Sequence, residues 1–126
     1  MNDTTEDLRA QRAAMSQRLY LVFMEPVQGA GDRTAARGAH FDFVANLEKS
    51  GALVMGGPFV DEDTGKPQGN GMFVLKAASA AEAETMVKDD PFVTGGFRTF
   101  RIQPWRVAEG RIGLTVSFSD RDWSLV

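Results

Sequence analysis

Leu19-Tyr20-Leu21-Val22-Phe23-Met24 is an unbroken run of large apolar side chains, ended by Glu25-Pro26. A short run without polar alternation reads as a β-strand buried on both faces. Such a strand constrains everything after it, because the rest of the chain must cover both sides of the sheet it joins. With 126 residues the chain has room for one domain of ordinary size.

Upstream, Thr4 to Met15 suits a helix capped by Thr4 with Asp7 in its first turn, although only Leu8 and Met15 give it an apolar face. Gln28 to Arg33, with Gly29 and Gly31, reads as a loop. A helix is then expected over Ala39 to Ser50. His40, Phe43, Val44 and Leu47 fall at i, i+3, i+4 and i+7 on one stripe, and Gly51 marks the stop. This places His40 in the first turn, facing inward. Ala52 to Phe59 reads as a second strand, interrupted at Gly56-Gly57-Pro58, where a bend or bulge is expected.

Asp61 to Asn70, with Gly65, Pro67 and Gly69, reads as a long hairpin loop before a third strand at Met72 to Leu75. The Asp61-Glu62-Asp63 cluster lacks the ordered ligand spacing of a calcium loop. Ser79-x-x-Glu82 is a capping box opening a second helix, whose inward face continues through Ala83, Met86, Val87 and Asp90. Pro91 ends that helix. After a turn at Gly95-Gly96, Phe97 to Val107 forms a fourth strand with Arg98, Phe100 and Ile102 on one side and Thr99 and Arg101 on the other. Ile112 to Phe118 reads as a short fifth strand and Ser119 to Val126 as a tail.

The resulting order, βαββαβ, builds a ferredoxin-like α+β fold: a four-stranded antiparallel sheet with two helices on one face. The domain is expected over residues 17–107, between extensions at 1–16 and 108–126. Helices cover one face only, so the apolar run predicts that a second copy covers the other, giving a homodimer through the sheet face.

Composition narrows function mainly by exclusion. A formal net charge of −3 gives no electrostatic case for nucleic acid or an anionic membrane. No stretch approaches a membrane span, and residues 1–12 lack the apolar core of a secretory signal, so a cytoplasmic location is the expectation. With no Cys, thiol chemistry and thiolate metal sites are excluded, and one His leaves too few ligands for a zinc site. No metal or other cofactor is therefore expected. The sole imidazole, His40, becomes the first candidate for proton transfer near neutral pH.

Each candidate carries a structural reading beside the functional one. His40 on an apolar stripe suits a hydrogen-bonded core residue as well as a general acid–base. Asp90 before Pro91 suits a turn residue as well as a carboxylate that fixes the His40 tautomer, with Asp89 the substitute if the register slips by one. Arg37 is either a solvated charge or a bidentate ligand for a substrate carboxylate or enolate. Gly57 and Pro58 serve the strand backbone or let a ligand approach it. Trp105 is core or a pocket wall.

Taken together, Arg37-x-x-His40, Gly51, Gly57-Pro58, Gly69 to Gly71, Asp90-Pro91-Phe92 and Pro104-Trp105 resemble, in order and spacing, the YCII family of small bacterial proteins. The resemblance runs from about Leu19 to Trp105. It implies a dimeric α+β barrel of ferredoxin-like protomers with a His–Asp dyad at His40 and Asp90. One member is a dehydrochlorinase of a chlorinated hydroxyhydroquinone, and the fold is similar to muconolactone isomerase and related monooxygenases. The chain departs from the family in its segment before Arg18 and its tail after Trp105, since the family usually ends close to that Trp.

The expected function is a small cofactor-independent lyase or isomerase acting on a small, aromatic-derived molecule. In it, His40 acts as acid–base, Asp90 orients it and Arg37 steadies negative charge. The alternatives are a non-catalytic metabolite-binding or accessory dimer and a cofactor-free monooxygenase.

Overall fold

A computed structural model of the chain describes residues 4–15 and 17–125. Residues divide into two compact units, 18–106 and a second formed by 1–17 with 107–126. In the first, strands β1 (Gln17–Pro26), β2 (Leu53–Val60), β3 (Pro67–Leu75) and β4 (Arg98–Val107) form one sheet in the order β2-β3-β1-β4. β3 runs antiparallel to both β1 and β2, and the amide of Val27 donates to the carbonyl of Phe97 where β1 ends and β4 begins. Helices α2 (Thr34–Lys49) and α3 (Ala80–Val87) connect them, followed by a one-turn helix α4 (Pro91–Thr94). This is a ferredoxin-like α+β fold.

Register explains the core. Tyr20 pairs with Leu75 and Val22 with Phe73, so these side chains share the face on which Met24 also lies. All five are buried there with Ala83 and Val87 of α3, and Val44 of α2 packs against them. Each fully buried Val or Leu contributes about 1.5–3 kcal/mol. Leu21 pairs with Val74 and Phe23 with Met72 on the opposite face. On that face Leu19 and Val74 are buried and Leu21, Phe23 and Met72 half-buried, whereas Met55 is 54% and Trp105 43% exposed. The apolar run of β1 is thus fully enclosed on the helix side and only partly on the other.

Several boundaries differ from those read in the sequence. α2 begins five residues earlier than Ala39. The carboxylate of Asp32 accepts from the amide and hydroxyl of Thr34, which orders the chain entering the helix, and Gly38 is carried inside it. His40 therefore lies in the second turn rather than the first. β3 begins at Pro67, so the hairpin loop is shorter than Asp61 to Asn70: the amide of Asp61 donates to the carbonyl of Lys66 across its base. The irregular pairing of β2 flanks the Gly56-Gly57-Pro58 segment, between Leu53 and Met55 and between Pro58 and Val60. Other signals act as read. Ser79 Oγ accepts from the Glu82 amide, and Gly51 adopts a φ of +81° at the end of α2.

In the second unit, Thr4 and Asp7 exchange hydrogen bonds to cap α1 (Thr5–Met15). The Thr4 contacts hold the Asp7 carboxyl below its ordinary pKa. β5 (Leu114–Ser117) pairs antiparallel with β6 (Asp122–Leu125), so the expected tail from Ser119 contains a strand. Ile112, Leu114, Val116 and Phe118 are exposed.

Candidate functional site

The Nδ1 of His40 lies 2.8 Å from Oδ1 of Asp90. Both side chains are buried, Asp90 completely. The meeting has local causes. His40 comes from the inward stripe of α2. Asp90 follows the end of α3, and its φ and ψ of −56° and 125° are extended, as expected before a proline. Pro91 then occupies the first position of α4, and Oδ1 of Asp90 accepts the amide of Phe92 at 2.9 Å as the N-cap. One oxygen thus caps α4 and meets the imidazole. Asp89, the alternative register, is exposed.

With Asp90 ionised, Nδ1–H donates and the lone pair is left on Nε2. Nε2 has no hydrogen-bond partner among the described residues, and His40 forms part of a cavity wall. The ring is further fixed by stacking on Phe92, with centroids 4.0 Å apart and planes 15° from parallel. An oriented imidazole with a free nitrogen beside a cavity can take or give a proton.

The cavity holds about 450 Å³ and lies between α2, the β2–β3 hairpin and the start of β4. Arg37, Gly57 and Pro58 line it, as do His40 and Phe92. Trp105 does not; it sits on β4 with the parity of Arg101, whose guanidinium lies 4.5 Å from the Phe23 ring on the other face of the sheet.

Three polar lining residues were not read as site residues in the sequence: Arg33, Asn70 and Arg98. The guanidinium carbons of Arg33 and Arg98 lie 5.1 and 4.8 Å from the Phe92 ring centroid. Burial lowers the pKa of Arg98 from its ordinary value, the charge of Arg33 adds to this, and Asp90 opposes it. The available signal was Arg98 itself, a cation on the side of β4 that carries Phe100 and Ile102. Asn70 Oδ1, Asp90 Oδ2 and Arg98 Nε are buried without a hydrogen-bond partner among the described residues. Among the described residues, no group of three or more His, Cys, Asp or Glu side chains converges in a way that could hold a metal. No helix among the described residues is long and apolar enough to cross a membrane.

The family model of the YCII-related domain matches residues 18–106. Among solved structures, the chain is similar to 5-chloro-2-hydroxyhydroquinone dehydrochlorinase from Burkholderia phenoliruptrix AC1100, determined in complex with 2,5-dihydroxybenzoquinone. The two are 23% identical, with a TM-score of 0.58 over 69% of this chain and 92% of that one. At this identity the likeness speaks to the fold. No curated protein matches the chain.

Proposed function

The chain belongs to the YCII-related family, and on that premise we propose that it is a small cofactor-independent lyase or isomerase in which His40 moves the proton. The observation that carries this reading is the 2.8 Å contact between His40 and a fully buried Asp90 at the wall of a cavity large enough for a small organic molecule. Asp90 holds Nδ1 and so presents Nε2 as the base. Arg37, one turn before His40 on the cavity wall, steadies the negative charge that develops when a proton leaves a carbon or phenolic oxygen. In a dehydrochlorination of the kind the similar enzyme's name describes, the proton passes to Nε2, chloride leaves with the C–Cl electron pair, and a double bond forms. In an isomerisation, the same imidazole returns the proton to another carbon.

The test is chloride release from 5-chloro-2-hydroxyhydroquinone, alongside NMR detection of solvent deuterium entering acidic C–H positions of small lactones and hydroxyquinones. Loss of a general acid–base costs about 10²–10⁴-fold in rate, so His40→Asn is expected to lose turnover on that scale while still binding ligand. Turnover unchanged in His40→Asn would refute the role given to His40.

A homodimer through the outer sheet face belongs to the same proposal. Met55 and Trp105 leave apolar surface open beside the half-buried Leu21 and Phe23, and a second sheet of the same shape would cover it. Light scattering is expected to give twice the protomer mass at micromolar concentration. A monomer throughout that range contradicts the dimer.

A further inference from the structure

We propose that Arg33 and Arg98 form an anion-binding subsite beside the His40–Asp90 pair, so that the molecule handled there carries a carboxylate. The inference rests on the acid–base reading only in taking the same cavity as the site. Its own support is an imbalance of charge and of hydrogen bonds. Arg33, Arg37 and Arg98 all line the cavity, and Asp90 is the carboxylate whose charge reaches Arg98. Oδ1 of Asp90 is already shared between His40 and the Phe92 amide, and its Oδ2 makes no hydrogen bond to Arg98 or to any other described residue. Among the described residues none of the three arginines has a carboxylate within salt-bridge distance.

Arg98 cannot shed its charge to relieve this, because a guanidinium remains protonated in proteins. It is nevertheless half withdrawn from water, pressed by the charge of Arg33, and left with a buried Nε–H that donates to none of the described residues. Phe92 holds both guanidiniums near its ring, a short way from the imidazole stacked on it. Buried polar groups in folded proteins are normally satisfied, so a buried Nε–H without a protein acceptor, on a side chain that lines the cavity, suits an acceptor brought by a ligand. A planar carboxylate is the acceptor that suits a guanidinium fork, taking two parallel N–H donors. The buried Oδ1 of Asn70, also orphaned on the wall, would accept a hydroxyl of the same molecule.

The experiment uses the only histidine as reporter. Benzoate and acetate are titrated into the full chain while the His40 ring resonances are followed by NMR, with benzyl alcohol as the uncharged control. Calorimetry gives the affinities. Charge-assisted hydrogen bonds to a buried partner are worth about 10- to 100-fold in affinity. Arg98→Met is therefore expected to weaken benzoate by at least about 10-fold and leave benzyl alcohol unchanged. Arg33→Gln, at the other cation near Phe92, serves where Arg98→Met does not fold, and is expected to act in the same direction.

Saturable binding of either carboxylate that shifts the His40 resonances and depends on these arginines supports the subsite. Three results overturn it: neither carboxylate binding, benzyl alcohol binding as tightly as benzoate, or a folded arginine variant that binds benzoate like the parent. His40→Asn separates the two proposals. Carboxylate binding retained in that variant, together with its undiminished turnover, would remove the acid–base role and leave the anion subsite. His40-dependent turnover of uncharged substrates without carboxylate binding would do the opposite.

Discussion

Replacing Asp90 tests whether one oxygen performs two duties. In Asp90→Ala, the amide of Phe92 loses its cap, which costs about 1 kcal/mol, in a range of roughly 0.5–2. The Nδ1–H of His40 is left buried without an acceptor, which costs about 1–3 kcal/mol more. Asp90 itself is fully buried, so bulk water does not reach the position its carboxylate leaves. Together the change should cost about 2–4 kcal/mol. Asp90→Asn keeps a carbonyl oxygen of the same reach. It retains the cap and a neutral bond to Nδ1–H, and should cost less than about 1.5 kcal/mol. Asp89→Ala, on an exposed side chain, should stay within about 0.5 kcal/mol. The assay is urea unfolding at fixed protein concentration, which keeps any association constant across the series, with slopes compared to confirm that the unfolding transition itself is unchanged. The reasoning fails if Asp90→Ala costs less than about 1 kcal/mol, or if Asp89→Ala costs as much as Asp90→Ala.

Other perturbations reach the frame around the site. At Gly56 an added Cβ would lie 2.7 Å from Cδ1 of the buried Phe73 and 3.1 Å from a backbone oxygen, so Gly56→Ala should destabilise by about 1–3 kcal/mol in thermal melts. Gly57, its neighbour on the cavity wall, has open space around that position. Gly57→Ala should melt close to the parent yet alter benzoate affinity, and equal effects at the two glycines would contradict the geometry. Ser79→Ala removes the cap that α3 receives through the Glu82 amide and should cost about 1 kcal/mol by urea unfolding. In the β2–β3 loop, Asp61 accepts from Thr64 and from the Asp63 amide, which lowers its pKa from the ordinary 3.8. Because the folded value is the depressed one, that contribution is complete above the unfolded pKa and fades as pH falls through the folded one. Amide exchange at Thr64 and Gly65 should therefore stay protected down to about pH 4 and rise below it, and Asp61→Asn should flatten the dependence.

His40 was legible because periodicity is a property of one helix: Phe43, Val44 and Leu47 fix its phase whatever the exact start. Asp90 was legible by phase as well, although the reason it turns inward is different. It stands beyond the end of α3, and its extended backbone and cap to Phe92 aim it at His40. What stayed hidden has physical causes. α4 is a single turn, too short to show a helical period. The early start of β3 is masked by Gly69 and Gly71, which read as loop when paired neighbours are unknown. The early start of α2 depends on Asp32 bonding two residues ahead, a signal outside the apolar stripe. β6 alternates polar and apolar residues through Asp122-Trp123-Ser124-Leu125, but four residues are too short a run to stand out from a tail until the pairing with β5 is known. Arg33 and Arg98 lie half a chain apart, and no pattern local to either announces that both approach Phe92.

The cavity wall draws its charged and aromatic groups largely from two stretches of chain. Residues 33–40 carry Arg33, Arg37 and His40 at spacings of four and three, which puts them on one side of α2 as it enters the fold. Residues 90–98 carry Asp90, Phe92 and Arg98 within one cap, one helical turn and the first residue of β4. Neither stretch can make the site alone. His40 lacks its acceptor without the second, and Phe92 lacks the ring stacked on it without the first. The 2.8 Å contact is consequently also the point at which α2 and α4 are fastened together. Stability and proton chemistry are coupled there through a single carboxylate oxygen. A substitution that spares the cap while removing the charge, as Asp90→Asn does, is the means of separating them, because it should lower turnover more than it lowers stability.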